Sequence, residues 1–167
     1  MKVRFKITSG LLATIRLDLQ RPHPFAHERV GFISAGLSAV GHDVLALAQA
    51  YRPVRDEDYQ RDQTVGVMMG TEAIRHALQW AMQDGIGLFH VHTHGRRGIP
   101  DFSKIDLREN AKFVPDFFKV APQCVHGAIV LSDTAAHGQV WFGRSEPHHF
   151  IAAFTEVGVP LRKWSAA

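Results

Sequence analysis

The residues best placed to do chemistry are His90-Val91-His92-Thr93-His94 and, shortly after them, Ser103-Lys104-Ile105-Asp106. Side chains of a β-strand alternate between faces, so His92 and His94 point the same way. A carboxylate on the next element, Asp106, can reach that face from a second direction. Two imidazoles and one carboxylate, with a fourth position open, form the ligand set of a catalytic zinc. Hydrolysis there also needs a carboxylate that is not a ligand but can take a proton from water. Glu28, in Phe25-Ala26-His27-Glu28-Arg29-Val30-Gly31, is the candidate. Each piece alone has a plainer reading. Ser103-x-x-Asp106 is also a helix cap with an acid in the first turn. Glu28 could be an exposed charge, and His90, on the same strand face, a packed or hydrogen-bonded neighbour. His137 and His148-His149 lie in polar stretches and read as surface residues. Asp101 is a rival carboxylate, but it has no serine three residues before it.

The elements that must position these groups follow from periodicity and punctuation. Met1 to Ile7 alternates and reads as a first strand. Ser9 caps a helix with Leu11, Leu12, Ile15 and Leu19 on one side, although the alternation Ile15, Leu17, Leu19 also allows a strand. Val30 to Ala35 and Val44 to Tyr51 are strands with a hairpin turn at Gly41 and His42-Asp43. Pro53 to Thr64 is polar, charged over residues 56–62, and reads as a long surface loop. Val65 to Met69 is a short strand, and Thr71 caps a helix that Asp84-Gly85 stops. Gly87 to His94 is the strand that carries the histidines. Ser103 to Phe118 is a helix interrupted or ended near Pro115, and Val125–Leu131, Gln139–Phe142 and Phe150–Val159 are further strands. Interspersed strands and helices predict an α/β (α+β) domain with a mixed, largely antiparallel β-sheet flanked by helices.

Composition sets the outer limits. A chain of 167 residues with 46% hydrophobic and 21% charged residues is expected to form one globular domain over residues 1–167. The net charge of +3 is scattered over single residues and pairs such as Arg96-Arg97, which argues against direct nucleic-acid binding. A single cysteine, Cys124, excludes an intrachain disulfide and a Cys-rich zinc site, and its strand-like setting reads as an inert thiol. The charged start Met1-Lys2-Val3-Arg4 is no signal peptide, and no run approaches the about 18 apolar residues of a membrane span. The default expectation is a cytoplasmic protein.

The order Glu28, then His92-Thr93-His94, then Ser103-x-x-Asp106 resembles the JAMM motif of the JAB/MPN metallopeptidases. Those proteins share a Glu near the start of a strand, a His-x-His ending a later strand, and a Ser-x-x-Asp opening the next helix. Phe32-Ile33-Ser34-Ala35-Gly36 and the helix from Thr71 to Met82 fall where the family has its strand and central helix. Gly95 departs from the proline that usually follows the second histidine. The resemblance implies a cytidine-deaminase-like JAB/MPN architecture and one Zn²⁺ held by His92, His94 and Asp106. It also implies Ser103 as a donor to the oxyanion and Glu28 as the base that passes a proton to the leaving amine. The activity implied is that of a compact, deubiquitinase-like isopeptidase at the C-terminus of a ubiquitin-like protein, with E1-like and E2-like enzymes as associates. Alternatives within the family are a peptidase acting on a sulfur-carrier protein or small peptides, and a non-catalytic MPN scaffold module.

Overall fold

The structure, a computed structural model, describes residues 1–24, 28–62, 66–95 and 97–165. Phe25, Ala26 and His27 of the stretch before Glu28 lie outside the described residues. So do Thr64 and Val65, at the expected loop–strand boundary, and Arg96. In chain order the elements are β1 (Val3–Thr8), α1 (Ser9–Leu19), β2 (Val30–Val40), β3 (Asp43–Pro53), β4 (Tyr59–Asp62), β5 (Gly66–Met69) and α2 (Thr71–Asp84). They continue with β6 (Gly87–Thr93), α3 (Lys104–Phe113), β7 (His126–Leu131), β8 (Ala136–Trp141), β9 (His149–Val157) and β10 (Arg162–Ser165).

The local chemistry of these elements is largely as expected, with shifted ends. Thr8 rather than Ser9 caps α1, its hydroxyl accepting from the Leu11 N–H. The β2–β3 hairpin is tighter than predicted. Its strands run on to Val40 and from Asp43, which Gly41 permits at φ 62°, a left-handed backbone that favours glycine. Pro115 ends α3, and a 3₁₀ turn over Val114–Lys119 follows. The expected loop after Pro53 is instead ordered structure: a 3₁₀ turn at Asp56–Asp58, then β4 paired with β5.

The arrangement of the strands corrects the expected fold. β1 pairs in parallel with β3 on one flank and with β9 on the other. The order β1-β3-β2-β6-β7-β8-β9 therefore returns on itself as a closed seven-strand barrel, with β10 added antiparallel to the end of β9. This is not the helix-flanked sheet of a cytidine-deaminase-like JAB/MPN domain. The closing contact joins Val3 to Ile151, at opposite ends of the chain, and local periodicity carries no information about such a pairing.

Two apolar clusters lie on opposite faces of the wall formed by β2 and β6. Phe89 and Val91 face one cluster with Phe5, Ile129 and Phe154, into which α1 sends Leu12, Ile15 and Leu19. Leu88 faces the other, with Phe32, Ala77 and Trp80 of α2, and Phe117. The alternation that buries Phe89 and Val91 on the first face turns His90 and His92 to the second, where α2 and α3 leave a cleft.

Candidate metal centre

β6 lies between β2, antiparallel, and β7, parallel. His92 is opposite Val30 on one side and Val130 on the other, and is 2% exposed. The β2–β6 register, continued two residues beyond Val30↔His92, sets Glu28 opposite His94. A ligating atom from each of Glu28, His92 and His94 lies within 4.8 Å of the other two. His94 follows the end of the strand and is held by its backbone N–H to the Leu131 carbonyl at 2.9 Å.

Asp106 enters from α3. Ser103 caps that helix through a capping box: its hydroxyl oxygen accepts the Asp106 N–H at 3.1 Å, and Asp106 Oδ2 accepts the Ser103 N–H at 2.8 Å. The cap and the cluster are one structure, because the same Oδ2 lies 3.6 Å from His92 Nε2 and 3.4 Å from His94 Nε2. The two Nε2 atoms are 3.3 Å apart. Tetrahedral zinc with bonds of about 2.0–2.1 Å requires donor atoms about 3.3–3.4 Å from one another. The triangle of two nitrogens and one oxygen meets that spacing, and its donor set suits Zn²⁺, so these residues fit the ion. Asp106 stays ionised. Burial opposes this, but the His92 imidazole and the two hydrogen bonds with Ser103 hold the carboxyl well below the usual carboxylate range.

The remaining candidates sort by position. Asp101 is turned away, its side chain 88% exposed and 4.0 Å from His137 Nε2. His90 is buried between Phe32, Phe113 and His92, with both ring nitrogens lacking a hydrogen-bond partner among the described residues. Desolvation, helped by His92, pushes its pKa down to about 3, so it sits beside the cluster as a neutral packed ring. Gly95 has open space where a side chain would project. The loop returns to the site because Phe102 is buried against Ala128 and Val130 and because Ser132 Oγ donates to the Gly98 carbonyl at 2.6 Å. Cys124 is partly buried and donates to the Gly85 carbonyl, and burial pushes its thiol pKa up, the reverse of a reactive cysteine.

Sequence reasoning missed what holds Glu28 in place. Its neighbour Arg29 is 2% exposed and forms an ion pair with Asp56 at 2.6 Å. It also donates to the carbonyls of Arg21 and Pro22 at 2.9 and 2.8 Å. The hydrogen bond with Asp56 raises the pKa of Arg29. One residue farther on, the Val30 N–H donates to Tyr59 Oη at 2.8 Å. Asp58, also from the charged stretch, is buried beneath Arg55 and His76. Residues 56–59, expected as part of a surface loop, are instead the brace under the start of β2. The one available signal was the density of acids beside an aromatic residue, which reads equally well as a solvated loop.

Around the cluster is a pocket of about 360 Å³ that includes Glu28, Ser103 and all three candidate ligands, with Val30, Met68, Met69, Ile74 and Phe113 among its walls. A second hollow, of about 500 Å³, also borders Glu28 and His94 and is lined by Gly95 and residues 97–101.

No family model matches the chain, and no curated protein matches it. Among solved structures it is similar to the N-terminal domain of STIL from Trichoplax adhaerens, at 10% identity and a TM-score of 0.38. The match covers 80% of this chain and 39% of that one, so the chain spans well under half the length of that protein. A likeness of this size carries no argument about function.

Proposed function

We propose that the protein is a zinc-dependent hydrolase of amide bonds in polypeptides. The observation that carries this reading is the convergence of His92 Nε2, His94 Nε2 and Asp106 Oδ2 to within 3.3–3.6 Å, with Glu28 beside them. A bound Zn²⁺ would supply a Lewis acid that makes water acidic enough to attack near neutral pH and polarises the carbonyl. Glu28, exposed at the lip of the pocket, takes the proton from the attacking water and returns it to the leaving amine. The Ser103 hydroxyl, whose oxygen accepts the Asp106 N–H, borders the pocket and can turn its proton from the Asp106 carboxylate to the carbonyl oxygen as negative charge develops. No protein nucleophile is needed.

The resemblance of the ordered motif to the JAB/MPN metallopeptidases supports the finer reading of an isopeptidase at the C-terminus of a ubiquitin-like protein. E1-like and E2-like enzymes of the same system would be its associates, and the cytoplasm its place of action. No helix among the described residues is long and apolar enough to cross a membrane. A second reading, a peptidase for short or extended peptides, is favoured by the apolar walls beside the cluster, which give a side chain somewhere to bind. The experiment that tests the common core is metal analysis together with the Glu28→Gln variant. The protein should bind about one zinc per chain and cut a ubiquitin-like conjugate or a peptide. The variant should keep the zinc and lose turnover. A wild-type protein that binds no zinc overturns the reading.

A further inference from the structure

Glu28 and His94 line both the pocket and the second hollow, so the two meet at these residues and form a cleft with unlike ends. One end is apolar, walled by Val30 of β2, Met68 and Met69 of β5, Ile74 of α2, and Ile105 and Phe113 of α3. The other is the more polar, made by Gly95, Arg97, Gly98 and Asp101 of the loop together with Ile99 and Pro100. A cleft passing through its reactive centre fits a polypeptide lying across it, with one side of the scissile amide at each end. Ser103 belongs to the apolar end and not to the polar one, whereas Glu28 borders both. With Ser103 on the carbonyl oxygen and Glu28 feeding the amine, the residue that supplies the carbonyl lies at the apolar end.

From this geometry we infer that the apolar end is a specificity pocket for a large apolar side chain, of leucine or phenylalanine size, on the carbonyl side of the scissile amide. The inference rests on the hydrolase reading for its orientation. A glycine in that position would leave the walls facing water. Two methionines on one wall give a surface that adapts to several apolar shapes, so the pocket selects size and polarity rather than one residue. The substrate class is therefore a peptide with a bulky apolar residue, rather than glycine, before the cut, which deepens the second, peptidase reading.

The test compares N-acetyl-leucine hydroxamate with N-acetylglycine hydroxamate, which differ only in the side chain, on the zinc-loaded protein by calorimetry. Burying most of a leucine side chain predicts about tenfold tighter binding or more. Met68→Ser, at a residue already 41% exposed, should shrink that ratio several-fold, and Leu17→Ser, on the exposed side of α1, should leave it unchanged. In parallel, methyl resonances of Met68 and Met69 are followed in metal-free protein as the leucine compound is added. Saturable shifts there, absent with the glycine compound, support the pocket independently of zinc. Equal affinities with silent methionine methyls overturn it, even where zinc binds normally and the hydrolase reading stands. A protein that binds no zinc but shows the leucine-dependent shifts keeps the pocket and loses the hydrolase.

Discussion

Asp106 does two jobs with one oxygen, and replacing it by Asn and by Ala separates them. Oδ2 completes the cap of α3 and stands 3.4 and 3.6 Å from the two imidazole nitrogens. Asp106→Asn keeps an oxygen for the Ser103 N–H but removes the charge and the anionic ligand. Structural zinc sites are worth about 10–16 kcal/mol over four ligands. One ligand then accounts for about 3 kcal/mol, so the Asn variant should bind zinc about 10²-fold more weakly. Asp106→Ala should lose affinity to a similar degree and also lose a capping hydrogen bond, at a cost of about 1 kcal/mol. In a chain of this length that lowers Tm by about 2–4 °C. The assay is chelator competition for zinc affinity, beside thermal unfolding of metal-free protein. If Asp106 is only a cap, the Asn variant binds zinc as tightly as the wild type and the reasoning is refuted. A weakened Asn variant with a nearly unchanged metal-free Tm shows that the carboxylate serves the ion.

Glu28→Gln should retain zinc and fold while turnover falls by about 10²-fold or more, and near-normal turnover removes Glu28 from the chemistry. Asp56→Ala strands the buried guanidinium of Arg29. It should cost about 2 kcal/mol in urea unfolding, less than a fully buried pair because the Asp56 side chain is 48% exposed; a change within about 0.5 kcal/mol would show that the brace is not needed. His126, fully buried and stacked on Phe117, accepts the Leu88 N–H at Nδ1 and faces the Ala121 carbonyl through Nε2. Desolvation pushes its pKa down to about 4, against the hydrogen bond to Ala121. The unfolded chain takes up its proton near pH 6.5 and the folded chain near 4, so this contribution is complete above about 6.5 and is lost as the pH falls through that window. By pH 5 the loss is about 2 kcal/mol, and His126→Gln should flatten the pH dependence of unfolding by that amount, whereas an unchanged profile would assign the acid sensitivity elsewhere.

The site was more legible in the sequence than the fold. Alternation over Gly87 to His94 sufficed to put His92 and His94 on one face, because a strand has only two. Ser103-x-x-Asp106 announced a helix start, and the structure uses it as one. Glu28 comes to the cluster through the β2–β6 register, which needed only a correct guess that those two strands pair. The closure of the barrel had no such signal. β1 takes β3 and β9 as neighbours, and nothing within β1 distinguishes them from other strands. Arg29 was hidden for a different reason. A buried arginine looks like a surface arginine until its partners, Asp56 and the carbonyls of Arg21 and Pro22, are brought together by the fold. The acids of residues 56–58 were misplaced by the same blindness.

The shared oxygen of Asp106 has a consequence for how the protein would sense its own loading. Helix α3 starts at that carboxylate, and farther along it Asn110 and Phe113 form a wall of the cleft. A cation on Oδ2 would pin the carboxylate that also caps the helix, so occupancy and helix fraying are thermodynamically linked. Exchange of the first amides of α3 with solvent would then track the metal, and the cleft wall would be least settled when the ion is gone. The fold thereby ties readiness to receive a substrate to possession of the means to cut it.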